Sequence, residues 1–109
     1  MSEKLISLAR DFSRHPGPRF KEQGPFSGEA FRKVLLDALS KSDIVIVDLD
    51  GTSGIGSSFI DEAFGGLVKR EGFAPADLRR RIRVKSDLDE SYLVEFNESI
   101  QDKAYSRAS

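Results

Sequence analysis

Residues 44–58, IVIVDLDGTSGIGSS, decide the fold of this 109-residue chain. The run 44–49, IVIVDL, is apolar and rich in β-branched residues, which is typical of a buried strand in an α/β protein. Three glycines follow within six residues and allow a sharp turn. Ser57 and Ser58 then precede a segment with helical periodicity. We therefore expect a strand covered on both faces, a tight turn and a helix in immediate succession.

Amphipathic helices are predicted before the strand and after the turn. Each carries an apolar stripe with i, i+3, i+4, i+7, i+8 spacing. The stripes are Phe31, Val34, Leu35, Ala38 and Leu39 in the first helix, and Ile60, Ala63, Phe64, Leu67 and Val68 in the second. Ser27 is the expected N-cap of the first helix, where Phe26 and Phe31 occupy the positions of a hydrophobic staple. The second helix should stop at Gly72.

Gly65 and Gly66 lie inside the second helix, where a glycine costs about 1 kcal/mol relative to alanine in an exposed helix interior. Because glycine has no Cβ, it also permits another group to approach the backbone closely. We therefore expect the helix backbone at this glycine pair to lie close against the sheet or against a partner.

The whole chain, 1–109, is expected to form a single domain. We assign residues 1–12 to a first strand region, residues 13–27 to a loop, and residues 88–109 to a C-terminal helix and tail. The remaining predicted elements are a strand at 4–9, a short helix opened by Pro75, a strand at 81–85, and a terminal helix to about Ala104, with SYLVEF as an alternative strand. This order predicts a small α/β fold, a mixed sheet with helices packed against it.

The composition argues against several classes of function. Lysine and arginine number 17 against 18 for aspartate and glutamate, so the net charge of −1 gives no general attraction to nucleic acid or to an anionic membrane. The absence of cysteine and the single histidine, His15, argue against thiolate, zinc and triad chemistry. No apolar run has the length expected of a signal peptide or a transmembrane helix, so we expect a cytoplasmic protein, and we assign no cofactor.

One short motif at the end of the strand resembles an enzyme signature. Residues 48–52, DLDGT, resemble the first motif of the haloacid-dehalogenase-type phosphatases, in which the first aspartate attacks phosphorus and the second acts as acid and base beside magnesium. By this resemblance, Asp48 and Asp50 would take these roles. The residues that could form the later motifs of that family are crowded into one segment of this chain, which argues against it. A magnesium-dependent phosphatase is therefore kept as the alternative function. In a plainer interpretation, Asp48 accepts backbone donors and Asp50 shapes the turn.

A second motif, TSGIG at residues 52–56, resembles the glycine loop of short-chain dehydrogenases. A glycine loop after a strand can hold a pyrophosphate at a helix N-terminus. A dinucleotide-binding fold needs about twice this length, and the chain has no Tyr-x-x-x-Lys pair. Nucleotide binding at this loop is a third hypothesis.

The stretch as a whole is more similar to another family. Residues 44–70, IVIVDLDGTSGIGSSFIDEAFGGLVKR, resemble the central strand, turn and helix of STAS domains, the sulfate-transporter and anti-sigma-factor-antagonist fold. GPRFKEQGPFSGEAFRKVLL, together with DLDG and SSFIDEAFGGL, resembles more specifically the STAS-like bacterial family of unknown function. These blocks span residues 17–67.

The resemblance implies a small α/β regulatory domain without enzymatic activity. STAS antagonists bind a histidine-kinase-type ATPase, which phosphorylates the first serine of a D-S-S-G motif. That serine matches Ser57, with Ser58 beside it. Gly56 stands where the antagonists have aspartate, and Phe59 stands where they have glycine. The implied partner is therefore a protein, an ATPase of this class.

The expected contact surface is the turn and the start of the second helix. Its expected partner-binding residues are Asp50, Gly51, Thr52, Ser53, Gly54, Gly56, Ser57, Ser58, Asp61 and Glu62. Ser57 and Ser58 are the expected phosphorylation sites, while Asp61 and Glu62 are expected to set the charge of the surface. A phosphate at a helix N-terminus would meet free backbone N–H groups and would add a charge of about −1.5 to −2. No catalytic or metal-binding residue is assigned.

A purely structural interpretation of the serines stays open. Ser58 and Asp61 match the pattern of a capping box, in which case Ser57 is only a small turn residue. Arg19 lies in the proline- and glycine-rich loop and is expected to have a surface role.

Overall fold

The structure, a computed structural model, describes residues 2–101. Three strands, β1 (Glu3–Ser7), β2 (Ile44–Asp48) and β3 (Ile82–Lys85), form a sheet in the order β1-β2-β3. Both neighbouring pairs are parallel. The predicted α/β fold class is confirmed, but the sheet of the described strands is parallel and not mixed. Each connection between strands contains helix and returns the chain to the same end of the sheet.

Five α-helices accompany the sheet among the described residues. They are α1 (Gly28–Lys41), α2 (Ser57–Ile60), α3 (Gly66–Lys69), α4 (Pro75–Arg81) and α5 (Ser91–Ser99). A π-helical turn, Asp61–Gly65, joins α2 to α3 without a break, and we call the continuous helix 57–69 the central helix. A second π-helical turn, Leu8–Phe12, follows β1, and a short 3-10 turn, Lys21–Gln23, lies in the loop 13–27.

The first strand and the C-terminal segment differ in detail from the predicted elements. The first strand ends at Ser7, two residues earlier than predicted, because the Ser7 hydroxyl accepts the Arg10 N–H at 3.2 Å and caps the turn that follows. SYLVEF lies in a helix, α5, and not in a strand. The predicted part of the C-terminal helix and tail beyond residue 101 lies outside the described residues.

The helices cover one face of the sheet. Right-handed connections between three parallel strands in sequential order place both crossovers on the same face. On that face, Val45 and Val47 are fully buried. On the other face, Leu5 pairs with Ile46 in the sheet, and Leu5 is 54% exposed while Ile46 is half-buried. The expectation that β2 is covered on both faces is therefore wrong for the described part of the chain.

Aromatic side chains connect the loop 13–27 to the core. Ser27 is the N-cap of α1, since its hydroxyl accepts the Ala30 N–H at 3.0 Å. The ring of Phe12 lies between Phe26 and Phe31, with centroid distances of 5.7 and 5.1 Å. The predicted staple pair is thus bridged by a third ring that the local pattern does not indicate.

The glycine pair of the central helix lies where two groups approach closely. A Cβ on Gly65 would lie 2.6 Å from the carbonyl oxygen of Ser99 in α5. A Cβ on Gly66 would lie 2.5 Å from Nη1 of Arg32 in α1. The expectation of a close approach is confirmed, and the neighbours are the α5 backbone and an arginine.

We predict that Gly65→Ala destabilises the protein by about 1–3 kcal/mol, because the new methyl group overlaps a backbone atom that cannot move without α5. This loss exceeds the gain in helix propensity of about 1 kcal/mol that alanine normally brings. Urea denaturation of both proteins measures the difference. Gly56→Ala is the matched control, since Gly56 has φ −72° and a Cβ there would meet nothing closer than 3.9 Å. An equal loss in both variants would contradict the steric explanation.

Candidate functional site

Ser57 and Ser58 are the first two residues of the central helix, and both are exposed. Their neighbours Phe59 and Ile60 are each only 1% exposed, because they enter the core. The burial of this apolar pair therefore turns the serine pair to the outside. Within residues 2–101, neither serine hydroxyl makes a hydrogen bond.

The capping-box interpretation of the serines is wrong. Gly56 is the N-cap, and no side chain within residues 2–101 caps the helix start. The Asp61 carboxylate, which the capping box would turn back to the helix start, instead accepts hydrogen bonds from Arg19 at 2.7 Å and Lys69 at 2.9 Å. The first N–H groups of a helix have no intrahelical partner, so those at the serine pair stay available.

The turn before the helix is held from two sides. The Ser53 N–H donates to the Arg14 carbonyl oxygen at 2.8 Å, and Ser53 Oγ lies 3.0 Å from His15 Nδ1. On the other side, the Ile55 N–H donates to the Tyr92 hydroxyl of α5 at 3.1 Å. The turn is therefore a supported surface loop.

Gly51 has a positive φ of 91° in this turn, and Gly54 has 145°. Residues other than glycine rarely adopt such a backbone conformation. These two glycines are thus explained by the chain reversal itself, with no need for a bound phosphate.

Asp50 joins this turn to the loop after β3. Its Oδ1 accepts the Ser86 hydroxyl at 3.0 Å and the Leu88 N–H at 3.2 Å. Its Oδ2 accepts the Asp87 N–H at 2.8 Å. These hydrogen bonds, that from Asp87 first of all, lower the pKa of Asp50 against the opposing effect of desolvation. Both carboxylate oxygens are therefore used to hold the loop.

Asp48 follows the plainer interpretation, whereas the Asp50 side chain holds the loop after β3 instead of shaping its own turn. Asp48 Oδ1 accepts the Asp50 N–H at 3.0 Å, as expected of a carboxylate at a strand end. Asp50 would have to release the loop at 86–88 before it could carry a proton to or from a substrate. Within residues 2–101, no group of three or more histidine, aspartate or glutamate side chains is placed to hold a metal ion.

Glu62 does not lie on the expected contact surface. Its side chain is 2% exposed, and its Oε2 accepts a hydrogen bond from Arg32 Nη1 at 2.7 Å. Arg32 is itself only 7% exposed and also donates to the Glu62 carbonyl oxygen at 2.8 Å. The expectation that Glu62 sets the surface charge is therefore wrong, because a buried carboxylate needs its counter-charges around it.

Two cations that are more exposed than Arg32 complete the ion cluster around Glu62. Arg70 donates to both oxygens of the Glu62 carboxylate, and Arg19 approaches it at 3.5 Å. Burial alone would raise the pKa of Glu62, but the hydrogen bonds and charges of Arg70 and Arg32 outweigh it and lower the pKa. Arg19 comes from the loop 13–27 and is tied into the cluster, so its role goes beyond the surface role expected from the sequence.

A cleft of about 180 Å³ opens between the start of the central helix and α5. Its lining residues are Ser57, Asp61, Glu95, Glu98 and Ser99. Ser57 contributes to this cleft and Ser58 does not, so the two serines occupy different environments.

A family comparison bears on this site. A family model described as a STAS-like domain of unknown function (DUF4325) matches residues 27–92, which include β2, the turn and both serines. The chain belongs to this STAS-like family. The comparison with curated proteins found no match, and the comparison with solved structures found none.

Membership confirms the predicted family and supports a regulatory or interaction role for this STAS-like domain, since such domains are typically non-catalytic. In residues 2–101, no helix combines the length and the apolar character needed to cross a membrane.

The STAS-like domain brings most of its sequence-predicted site residues to one surface. The exposed members are Gly51, Ser53, Gly54, Gly56, Ser57 and Ser58, and the half-buried ones are Asp50, Thr52 and Asp61. Sequence reasoning missed Tyr92, Glu95 and Glu98. Nothing in their local spacing indicates a site, because the packing of α5 against the central helix brings them there.

We predict that Glu62→Gln destabilises the domain at neutral pH by about 1.5–3 kcal/mol, because it removes the buried charge that Arg32 and Arg70 share and leaves Arg32 paired with Glu71 alone. Chemical denaturation measures the loss. Asp61→Asn is the matched control in the same π-helical turn. Its side chain is 30% exposed, so its ion pairs should contribute only about 0–1 kcal/mol. Equal losses in the two variants would contradict the special role of Glu62.

The effect of Glu62→Gln should also depend on pH. Because the folded-state pKa of Glu62 is lowered, its contribution is complete above the unfolded-state pKa of about 4.3 and is lost as the pH falls through the folded-state pKa. The difference in the free energy of unfolding between the wild type and Glu62→Gln should therefore shrink below about pH 4. A difference that stays constant down to about pH 2 would count against the lowered pKa.

Proposed function

We propose that this STAS-like domain is a non-enzymatic regulatory module that presents the Gly51–Ser58 turn and the start of the central helix to a protein partner. The observation that carries the proposal is the exposed serine pair at the first two positions of that helix, whose hydroxyls the described fold does not use. Exposed polar groups on a loop that is held rigidly by its scaffold favour a binding role.

The loop that Asp50 holds at this edge of the sheet carries an exposed apolar side chain. Leu88 is 81% exposed, and its N–H is bound by Asp50 at the same edge of the sheet. An apolar side chain next to small polar residues offers both burial and hydrogen bonds to a partner. The supports from Arg14 and Tyr92 keep the turn in one conformation, which reduces the entropy lost on binding.

We further propose that the partner is a histidine-kinase-type ATPase and that Ser57 is its phosphate acceptor, as the resemblance to the antagonists implies. In this reaction, Ser57 Oγ attacks the γ-phosphorus of ATP, its proton is released, and ADP leaves. Gly56 supports the proposal, because no capping carboxylate stands at the helix start to compete with a phosphate for the free N–H groups. The added charge of about −1.5 to −2 would change the affinity of the surface for its partner.

The test is affinity purification of the tagged domain from its native cells, followed by binding and phosphorylation assays with the recovered ATPase. We expect an ATPase of the kinase class that phosphorylates the wild type and not Ser57→Ala. We expect Ser57→Asp to change the Kd by about tenfold or more, because the charge lies within the contact surface.

Ser40→Asp is the matched control, since Ser40 is exposed on α1, away from the turn. It should leave the Kd unchanged. An ATPase that binds Ser57→Asp and Ser58→Asp as tightly as the wild type would overturn the proposal. Magnesium-dependent release of phosphate from an aryl phosphate, abolished by Asp48→Asn, would favour the phosphatase alternative instead.

A further inference from the structure

The cleft between the central helix and α5 places Ser57 opposite acidic side chains. Ser57 and Asp61 are four residues apart and share one face of the central helix. Glu95 and Glu98 line the opposite wall on α5. A new charge on the exposed Ser57 would therefore lie in the same open cleft as these carboxylates.

The carboxylates of the cleft are not equally neutralised. Asp61 is paired with Arg19 and Lys69. Within residues 2–101, Glu95 and Glu98 form no ion pair, and Oε2 of Glu95 is buried without a hydrogen-bond partner. Ser57 and Glu98 are exposed, but the buried oxygen of Glu95 is shielded from water, and a shielded charge interacts more strongly than a charge in solvent. The α5 wall is therefore the side on which a second negative charge would be most strongly repelled.

The inner face of α5 packs against the central helix. Phe96 packs edge-to-face on Phe64, with ring centroids 5.0 Å apart. The backbone of Ser99 lies against Gly65, as the close approach at this glycine shows. Ile100 is buried in the core and the Tyr92 hydroxyl accepts the Ile55 N–H, so α5 is anchored at several points, but a nine-residue surface helix can still open locally while the rest of the domain stays folded.

We propose that the packing of α5 responds to the charge on Ser57: a phosphate on Ser57 is repelled by Glu95 and Glu98, and this repulsion loosens α5 from the central helix. Ser58 lies outside the cleft, so the same modification there leaves α5 in place. The inference rests on the proposed function, in which Ser57 accepts the phosphate. It adds the way in which that modification changes the shape of the contact surface, because α5 also holds the turn through Tyr92 and Ile55.

The comparison between the two serines isolates the effect of the cleft. Both lie at the start of the central helix, where the helix dipole favours a negative charge on either. Only Ser57 adds repulsion from α5. Faster exchange of α5 in Ser57→Asp than in Ser58→Asp would therefore be an effect of the cleft and not of the helix end.

The experiment compares Ser57→Asp with Ser58→Asp in the isolated full chain by amide hydrogen exchange. We expect the amides at 95–100 to exchange about tenfold faster in Ser57→Asp than in the wild type, which corresponds to about 1.4 kcal/mol. In Ser58→Asp they should exchange at the wild-type rate. The amides of β2 should be unchanged in both variants, which distinguishes local opening of α5 from global unfolding.

The charges of α5 are tested by adding Glu95→Gln and Glu98→Gln to Ser57→Asp. We expect this triple variant to recover the exchange rates of the Glu95→Gln, Glu98→Gln pair alone. Faster exchange that persists without these carboxylates, or equal rates in Ser57→Asp and Ser58→Asp, would overturn the inference. This measurement needs no partner. A failure to bind an ATPase would therefore contradict the proposed function but would leave the proposed effect of Ser57 on α5 to be judged by hydrogen exchange alone.

Discussion

The buried ion pair between Arg32 and Glu62 is the constraint on which the arrangement of the helices depends. Both groups are almost fully buried, so each needs counter-charges nearby: Glu62 also has Arg70, and Arg32 also has Glu71. The pair joins α1 to the central helix, and Arg19 extends it to the loop 13–27. Such a pair selects one relative position of the two helices. That position sends Phe59 into the core and leaves Ser57 in solvent.

The candidate site lies where loops at the carboxyl ends of the strands meet. Asp50, at the end of β2, holds the loop that follows β3, while α5 holds the turn itself. In open α/β sheets this edge commonly carries the binding site, since loops from neighbouring strands converge there. The STAS-like domain therefore holds this surface in place by hydrogen bonds from two neighbouring segments of the chain.

The DLDGT and TSGIG motifs show why short signatures need their structural context. A strand that turns sharply into a helix requires a carboxylate to accept backbone N–H groups and glycines to adopt positive φ. Asp48, Gly51 and Gly54 meet these requirements in the described fold. The signatures of two enzyme families contain the same residue types, because those signatures also lie where a strand turns sharply into a helix.

The sequence by itself determined the order of strands and helices, the N-cap at Ser27, the start of the central helix at Ser57 and the close approach at Gly65. Each of these follows from local periodicity, capping chemistry or the absence of a Cβ. Only the tertiary structure decided that the sheet is covered on one face, that Glu62 is buried and that α5 forms a cleft with Ser57. Arg32 and Glu62 are 30 residues apart, and Ser57 and Glu95 meet only through helix packing. The choice of partner for a charged side chain depends on the packed arrangement of whole helices, which no local pattern of residues encodes.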